Sequence, residues 1–206
     1  MKKQVLSLFG AALFAFAITS PLLAQSDQDL LGKVAPGFNL KNINGNMISL
    51  DSYLPSAKGV ILVFTCNHCP YSVKYEDRII ALDNKYRAED FVLLAINPND
   101  PVAYEADNFK NMQKRAKKKG FGFPYLVDET QAIAKAYGAT RTPHVYLLAN
   151  EGGQFIVRYV GAIDDNTEEN AVTVNYVDEA IAKVNTGGTP EPAYTKAVGC
   201  GIKWTK

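Results

Sequence analysis

The chain has 206 residues, of which 47% are hydrophobic, 11% aromatic and 21% charged, with a formal net charge of +1. That is ordinary for one globular domain able to bury a sizeable core, and nothing in it demands a second domain. So small a net charge leaves no electrostatic footprint for nucleic acid.

Lys2 and Lys3 precede an uncharged apolar run from Val5 to Ala24 that closes on Ser20-Pro21-Leu22-Leu23-Ala24. Charged, apolar and small-residue regions in that order read as a secretory signal peptide over residues 1–24. A membrane anchor is the competing reading, since the run approaches the ~20 residues that span a bilayer. Pro21 and Ala24 look like a processing site, and Gln25-Ser26-Asp27-Gln28-Asp29 begins a polar mature end without a lipid-accepting cysteine. Cleavage removes Lys2 and Lys3, which turns the formal charge to −1. The protein is therefore expected to be exported, periplasmic or extracytoplasmic, with no stable membrane insertion after cleavage.

Along the mature chain, Phe38-Asn39-Leu40 and Met47-Ile48-Ser49-Leu50 flank Asn44-Gly45, the pattern of a β-hairpin. Val60–Phe64 is β-branched and apolar, a first central strand. Tyr75, Ile79, Leu82 and Tyr86 fall at helical spacing on one face. Phe91–Ile96 is apolar throughout, which suits a parallel strand buried on both faces. Asn97-Pro98-Asn99-Asp100-Pro101 is a loop at the C-terminal edge of that strand, where open α/β sheets place their sites. Phe109, Met112 and Ala116 mark a second helix, ended by Gly120. Its run Lys114-Arg115-Ala116-Lys117-Lys118-Lys119 reads as a solvated face and C-terminal turn. Tyr125–Val127 is a short strand and Gln131–Tyr137 a short helix. Val145–Leu148 and Phe155–Val160 form a hairpin about Gly152-Gly153, and Val174, Val177, Ile181 and Val184 mark a last helix. Alternation followed by a terminal hairpin implies an α/β fold with a mixed sheet covered by helices. Residues 25–185 form that domain, and residues 186–206 a Gly/Pro-rich linker and a tail holding Cys200 and Trp204.

Thr65-Cys66-Asn67-His68-Cys69-Pro70 sits where the first central strand becomes a helix. The first helical turn offers unpaired N–H groups and the positive end of the macrodipole, both of which stabilise an anionic sulfur at Cys66. Three-residue spacing brings Cys69 near enough for a short-loop disulfide, and Pro70 loses no hydrogen bond at a helix start. Three cysteines are too few for a disulfide framework, so a close pair plus a distant one points to redox or metal chemistry.

These residues, together with Thr142-Pro143 entering a strand some seventy residues later, resemble the thioredoxin superfamily. Phe64–Tyr71, Ala95–Pro101, Thr142-Pro143-His144 and Gly199-Cys200-Gly201-Ile202-Lys203-Trp204 resemble more closely its redoxin branch, the AhpC/TSA-like or peroxiredoxin-like thioredoxin proteins. The resemblance implies a thioredoxin fold carrying an added N-terminal hairpin and a C-terminal tail. It implies a cis Pro143 facing the dithiol and Thr142 offering backbone hydrogen bonds to a bound peptide. Peroxidase chemistry fits less well, because Val63 and Cys66 stand three residues before Cys66 and Cys69 where peroxiredoxins carry threonine. The buried aspartate of thioredoxins is replaced by Val60, which leaves the proton shuttle unidentified. Arg141 stands where relatives often place a cysteine, and could hold a thiolate electrostatically.

The expectation is an exported thiol–disulfide oxidoreductase acting on protein thiols and disulfides, with an unidentified redox partner. Cys66 is the nucleophile, Cys69 resolves the mixed disulfide, and Thr65, His68, Pro70, Arg141, Thr142, Pro143 and His144 support them. No organic cofactor is needed beyond a redox-active Cys66–Cys69 disulfide. An imidazole at His68 beside Cys66 would favour the thiolate and make the pair more oxidising than thioredoxin's ~ −270 mV. Cys200 is a resolving partner for either cysteine, a tie for the tail, or a packed free thiol. Lys58, Glu76 and Asp100 are charged residues without assigned roles. The alternatives are a weak thiol peroxidase, and copper binding or delivery through Cys66, Cys69 and His144.

Overall fold

The computed structural model describes residues 26–206. The segment 1–24, expected to be a signal peptide, lies outside them, and no helix among the described residues is long and apolar enough to cross a membrane. The domain opens with the hairpin β1 (Asn39–Asn42) and β2 (Met47–Ser49), turned at Asn44-Gly45. It continues through β3 (Gly59–Phe64), α1 (Pro70–Tyr86), β4 (Phe91–Asn97), α2 (Phe109–Lys119), β5 (Tyr125–Val127) and α3 (Ala132–Ala136). The two-residue strand β6 (Arg141–Thr142) leads into β7 (His144–Glu151), β8 (Gln154–Gly161), α4 (Tyr176–Asn185) and the two-residue β9 (Cys200–Gly201).

Seven strands make one mixed sheet in the order β2-β1-β5-β4-β3-β7-β8. β3, β4 and β5 run parallel, β7 lies antiparallel to β3, and β1 adds the N-terminal hairpin antiparallel to β5. Because strand side chains alternate between faces, the fully buried β3 feeds two cores. Val60, Leu62 and Phe64 meet Leu94, Ile96, Tyr146 and Leu148 on one face, under Leu30, Phe38, Leu50 and Ala134. Ile61 and Val63 meet Leu93, Ala95, Val145 and Leu147 on the other, covered by Tyr75, Ile79 and Leu82 of α1, Met112 of α2 and Ile181 of α4.

The parallel strands β3 and β4 deliver the loops 65–69 and 98–108 to the same edge of the sheet, and β6 arrives beside them. The expected strands and helices are all present. The pairing of β6 with β9 (Arg141 opposite Gly201, Thr142 opposite Cys200) has no counterpart in the sequence reading, since neither segment is long enough to show periodicity. The basic run lies on α2, where Arg115 makes a two-pronged bond to the buried Glu76 (2.6 and 2.7 Å) and Lys119 meets Asp77 at 2.9 Å. Of the unassigned charges, Lys58 pairs loosely with Asp90 at 3.7 Å on the surface.

α1, which carries the cysteine turn at its start, is held from its middle by Arg78. The guanidinium reaches Asp164 (2.6 Å) and the carbonyls of Asn166 and Thr167 (both 2.7 Å), and Tyr75 donates to Asp164 at 2.8 Å. Only 1% of the Asp164 side chain is exposed. Removing one partner of a buried pair leaves an uncompensated charge, so Arg78→Met is expected to lower the unfolding free energy by about 3–5 kcal/mol in a urea titration.

Candidate functional site

Thr65 continues the line of β3, its N–H bonded to the carbonyl of Ile96 at 2.9 Å, and hands the chain to a turn whose last residue, Cys69, is the N-cap of α1. Pro70 occupies the first helical position, and Val73 closes the first turn onto the Cys69 carbonyl (3.0 Å). Both cysteines are buried, Cys66 at 2% and Cys69 at 0% exposure. The Cys66 sulfur lies 3.2 Å from the Thr142 hydroxyl and 3.7 Å from that of Ser72. The peptide bond before Pro143 is cis, as the family resemblance implied.

A carboxylate that sequence reasoning missed organises this turn. Asp107, 2% exposed, accepts from the Asn67 N–H (2.6 Å) and from the side chains of Asn97 (3.3 Å) and Asn99 (2.9 Å), and bonds Nδ1 of His68. Asn67 reaches back to the Ala106 carbonyl (2.7 Å) and accepts from the Tyr125 hydroxyl (3.0 Å). His68 stacks on Tyr104, ring centroids 4.2 Å apart. Asn97 and Asn99 belong to the loop that the sequence marked as a site edge. Asp107 lies beyond it, in the tract 102–108, which has no periodic pattern to single it out.

The electrostatics at Cys66 run against the expected thiolate. Burial pushes the thiol up, and the neighbouring Asp107 carboxylate pushes it further. Hydrogen bonds from Thr142, the Cys69 N–H and Ser72 pull the other way without prevailing. The helix start is present, but desolvation of an anion outweighs the pull of backbone dipoles when water is excluded. The imidazole of His68 is engaged by a carboxylate, so it brings no isolated positive charge to the sulfur.

The disulfide in the structure joins Cys69 to Cys200, with Cα atoms 6.0 Å apart, and Cys66 is the free thiol. The link present is thus Cys69–Cys200 where Cys66–Cys69 was expected, and the reading of Cys200 as a packed free thiol is excluded. The physical reason is the tail's position: β9 lies along β6, so Cys200 is delivered opposite Thr142, whose carbonyl is 3.3 Å from the Cys69 sulfur. Arg141 is exposed, and its guanidinium bonds the Gly199 carbonyl at 3.1 Å, gripping the tail backbone rather than a thiolate. Asp100 also serves the tail, its N–H donating to the Lys203 carbonyl at 2.9 Å. Ile202, 6% exposed, is the residue that packs inward, whereas Trp204 stays 40% exposed.

His144 stands apart from the cysteines. It is fully buried on β7, 4.8 Å from the Tyr146 ring, with Nε2 3.3 Å from an Asp27 carboxylate oxygen. The His144 imidazole beside it holds the Asp27 carboxyl below its usual range against the opposing effect of burial. The copper set Cys66, Cys69 and His144 is therefore not assembled. Among the described residues, the sulfur, imidazole and carboxylate atoms that converge within 4.8 Å belong to Cys66, His68 and Asp107.

A mixed sheet with a Cys-x-x-Cys turn at a helix start, faced by a cis-proline, is the thioredoxin fold. The thioredoxin domain of a thiol-disulfide oxidoreductase from Bacteroides vulgatus superposes on it with a TM-score of 0.51 at 19% identity, over 64% of this chain and 89% of that one. The AhpC/TSA family model matches residues 31–166, and the chain belongs to that family. An uncharacterized conserved protein from Geobacillus kaustophilus superposes at a TM-score of 0.78 with 35% identity, covering 85% of this chain and 92% of its own. The thiol-disulfide oxidoreductase ResA of Halalkalibacterium halodurans is 24% identical over 169 residues, 82% of this chain and 90% of the relative.

With Cys69 and Cys200 linked, Cys66 is the one thiol that iodoacetamide can alkylate. Its alkylation midpoint is expected above the ~8.5 of an ordinary thiol. Asp107→Asn removes the adjacent negative charge and should bring the midpoint down. A midpoint unmoved by the substitution would exclude the carboxylate as a cause.

Proposed function

We propose that this protein is an exported thiol–disulfide oxidoreductase that exchanges disulfides with protein substrates through Cys66 and Cys69, with Cys200 as a third redox cysteine and no organic cofactor. The observation that carries the reading is a free thiol and a disulfide at one helix start, against the Thr142-Pro143 turn. The relatives named thiol-disulfide oxidoreductase support it, and the charged-then-apolar segment 1–24 supports export.

The chemistry follows from the three sulfurs. The Cys66 thiolate attacks the Cys69 sulfur, a bond forms between them as the Cys69–Cys200 bond breaks, and Cys200 leaves as a thiolate that takes up a proton. No net oxidation occurs within the chain, and the Cys66–Cys69 disulfide then exchanges with substrate thiols. Thr142 and Ser72 orient the attacking sulfur. Asp107 and the half-buried His68 stand between it and solvent, where its proton must go.

Strong oxidants of this fold owe their potential to a reduced form stabilised as a low-pKa thiolate, and a Cys66 thiol pushed up by burial and Asp107 lacks that stabilisation. The physical basis for a highly oxidising pair is thereby removed, and the couple is expected at or below thioredoxin's ~ −270 mV in glutathione or dithiothreitol buffers.

The test is turnover of a protein disulfide such as insulin's by the wild-type chain with a dithiol reductant. Cys66→Ser should reduce turnover to background, whereas Cys200→Ser should retain it. A wild-type protein that reduces no protein disulfide sinks the proposal.

A further inference from the structure

Residues 199–205 are not a loose end. Gly199 accepts from Arg141 (3.1 Å), Cys200 and Gly201 pair antiparallel with Thr142 and Arg141, and the Ile202 N–H donates to the Thr140 carbonyl at 3.1 Å. The Lys203 N–H donates to Asn99 (2.9 Å), its carbonyl accepts from Gln131 (2.8 Å), and the Thr205 N–H returns a bond to Gln131 (2.9 Å). An extended segment with a cysteine near its start thus lies on the edge that precedes Pro143, with its sulfur bonded to Cys69.

The two glycines that flank Cys200 face different surroundings. A Cβ built on Gly199 would overlap the Thr142 carbonyl, a backbone atom that cannot swing aside, and would also press on Pro143 N at 3.1 Å. A Cβ on Gly201 meets nothing within 4 Å. Neither glycine has the positive φ that reserves a position for glycine, so the demand at 199 is one of space alone.

We propose that the tail is a tethered stand-in for the substrate, and that the Thr142 carbonyl makes the site selective for extended segments with glycine immediately before the reacting cysteine. This rests on the thiol–disulfide exchange proposed above. A substrate segment displaces β9 from Arg141 and Thr142: its cysteine thiolate attacks the Cys69 sulfur, the new disulfide forms as the Cys69–Cys200 bond breaks, and Cys200 leaves as a thiolate that takes up a proton. The residue after the cysteine is free to vary.

The full-length double variant Cys66→Ser/Cys200→Ser keeps Cys69 as its single thiol. The probe is a nonapeptide of residues 196–204 whose cysteine carries a thionitrobenzoate mixed disulfide. The Cys69 thiolate attacks the peptide sulfur, the new disulfide forms, and the coloured thiolate leaves as the old bond breaks. Two further peptides carry alanine in place of the glycine before, or of the glycine after, the cysteine. Each rate is divided by that of the same peptide with glutathione, which removes intrinsic reactivity.

The peptide with alanine after the cysteine should match the parent. The one with alanine before it should react about tenfold or more slowly, equivalent to about 1.4 kcal/mol or more. Equal rates for all three peptides overturn the inference, as does a preference for the other position. Turnover of insulin by the wild-type chain, measured in parallel, separates the two levels. Turnover without the glycine preference overturns the inference alone, and no turnover on any substrate overturns the reading beneath it.

Discussion

One buried carboxylate holds the working edge of this molecule together. Asp107 gathers donors from the cysteine turn (the Asn67 N–H and His68), from the end of β4 (Asn97) and from the loop after it (Asn99). Asn99 in turn accepts the Lys203 N–H, so the chain of hydrogen bonds runs from the cysteine turn to the C-terminal tail. An isolated carboxylate so deep would be costly. Four donors make it tolerable, and they fix three separate segments relative to each other. The cysteine environment follows from this arrangement, because the group that orders the turn is also the negative charge that opposes a thiolate at Cys66.

The sheet and its two cores were legible in the sequence because they rest on periodicity. Val60–Phe64 and Phe91–Ile96 are apolar at every position, as strands buried on both faces must be, and Tyr75, Ile79, Leu82 and Tyr86 announce the helix that covers one of those faces. The Asn44-Gly45 hairpin and the Thr142-Pro143 turn carry their own local chemistry. The site was legible only in its covalent chemistry. Asp107 sits in a tract where Tyr104, Glu105, Ala106 and Asn108 give no repeat, and its importance arises from contacts with residues 67, 68, 97 and 99 that only the fold brings near. His144 illustrates the converse: adjacency to Pro143 suggested a site residue, but strand alternation turns its side chain toward Tyr146 and Asp27.

The choice of disulfide partner for Cys69 was open in the sequence because spacing speaks for Cys66 and nothing local speaks for Cys200. What decides it is the two-residue pairing of β9 with β6, reinforced by the bonds of Lys203 and Thr205 to Asn99 and Gln131. Such short strands leave no hydrophobic signature. The glycine before Cys200 is the single local trace, and its meaning depends on a carbonyl 57 residues earlier in the chain.

Three is an odd number of sulfurs, so a monomer oxidised within itself always keeps one thiol. In an oxidising compartment a leftover thiol is a hazard, open to coupling with a second chain. Here the arithmetic is resolved by placement: the tail ties up Cys69, and the unpaired sulfur is Cys66, sealed in the interior between Thr142 and Ser72. The oxidised chain can therefore rest as a monomer with its reactive atom shielded from the bulk of a second chain, and only a rearrangement within the molecule moves the odd thiol to the tail.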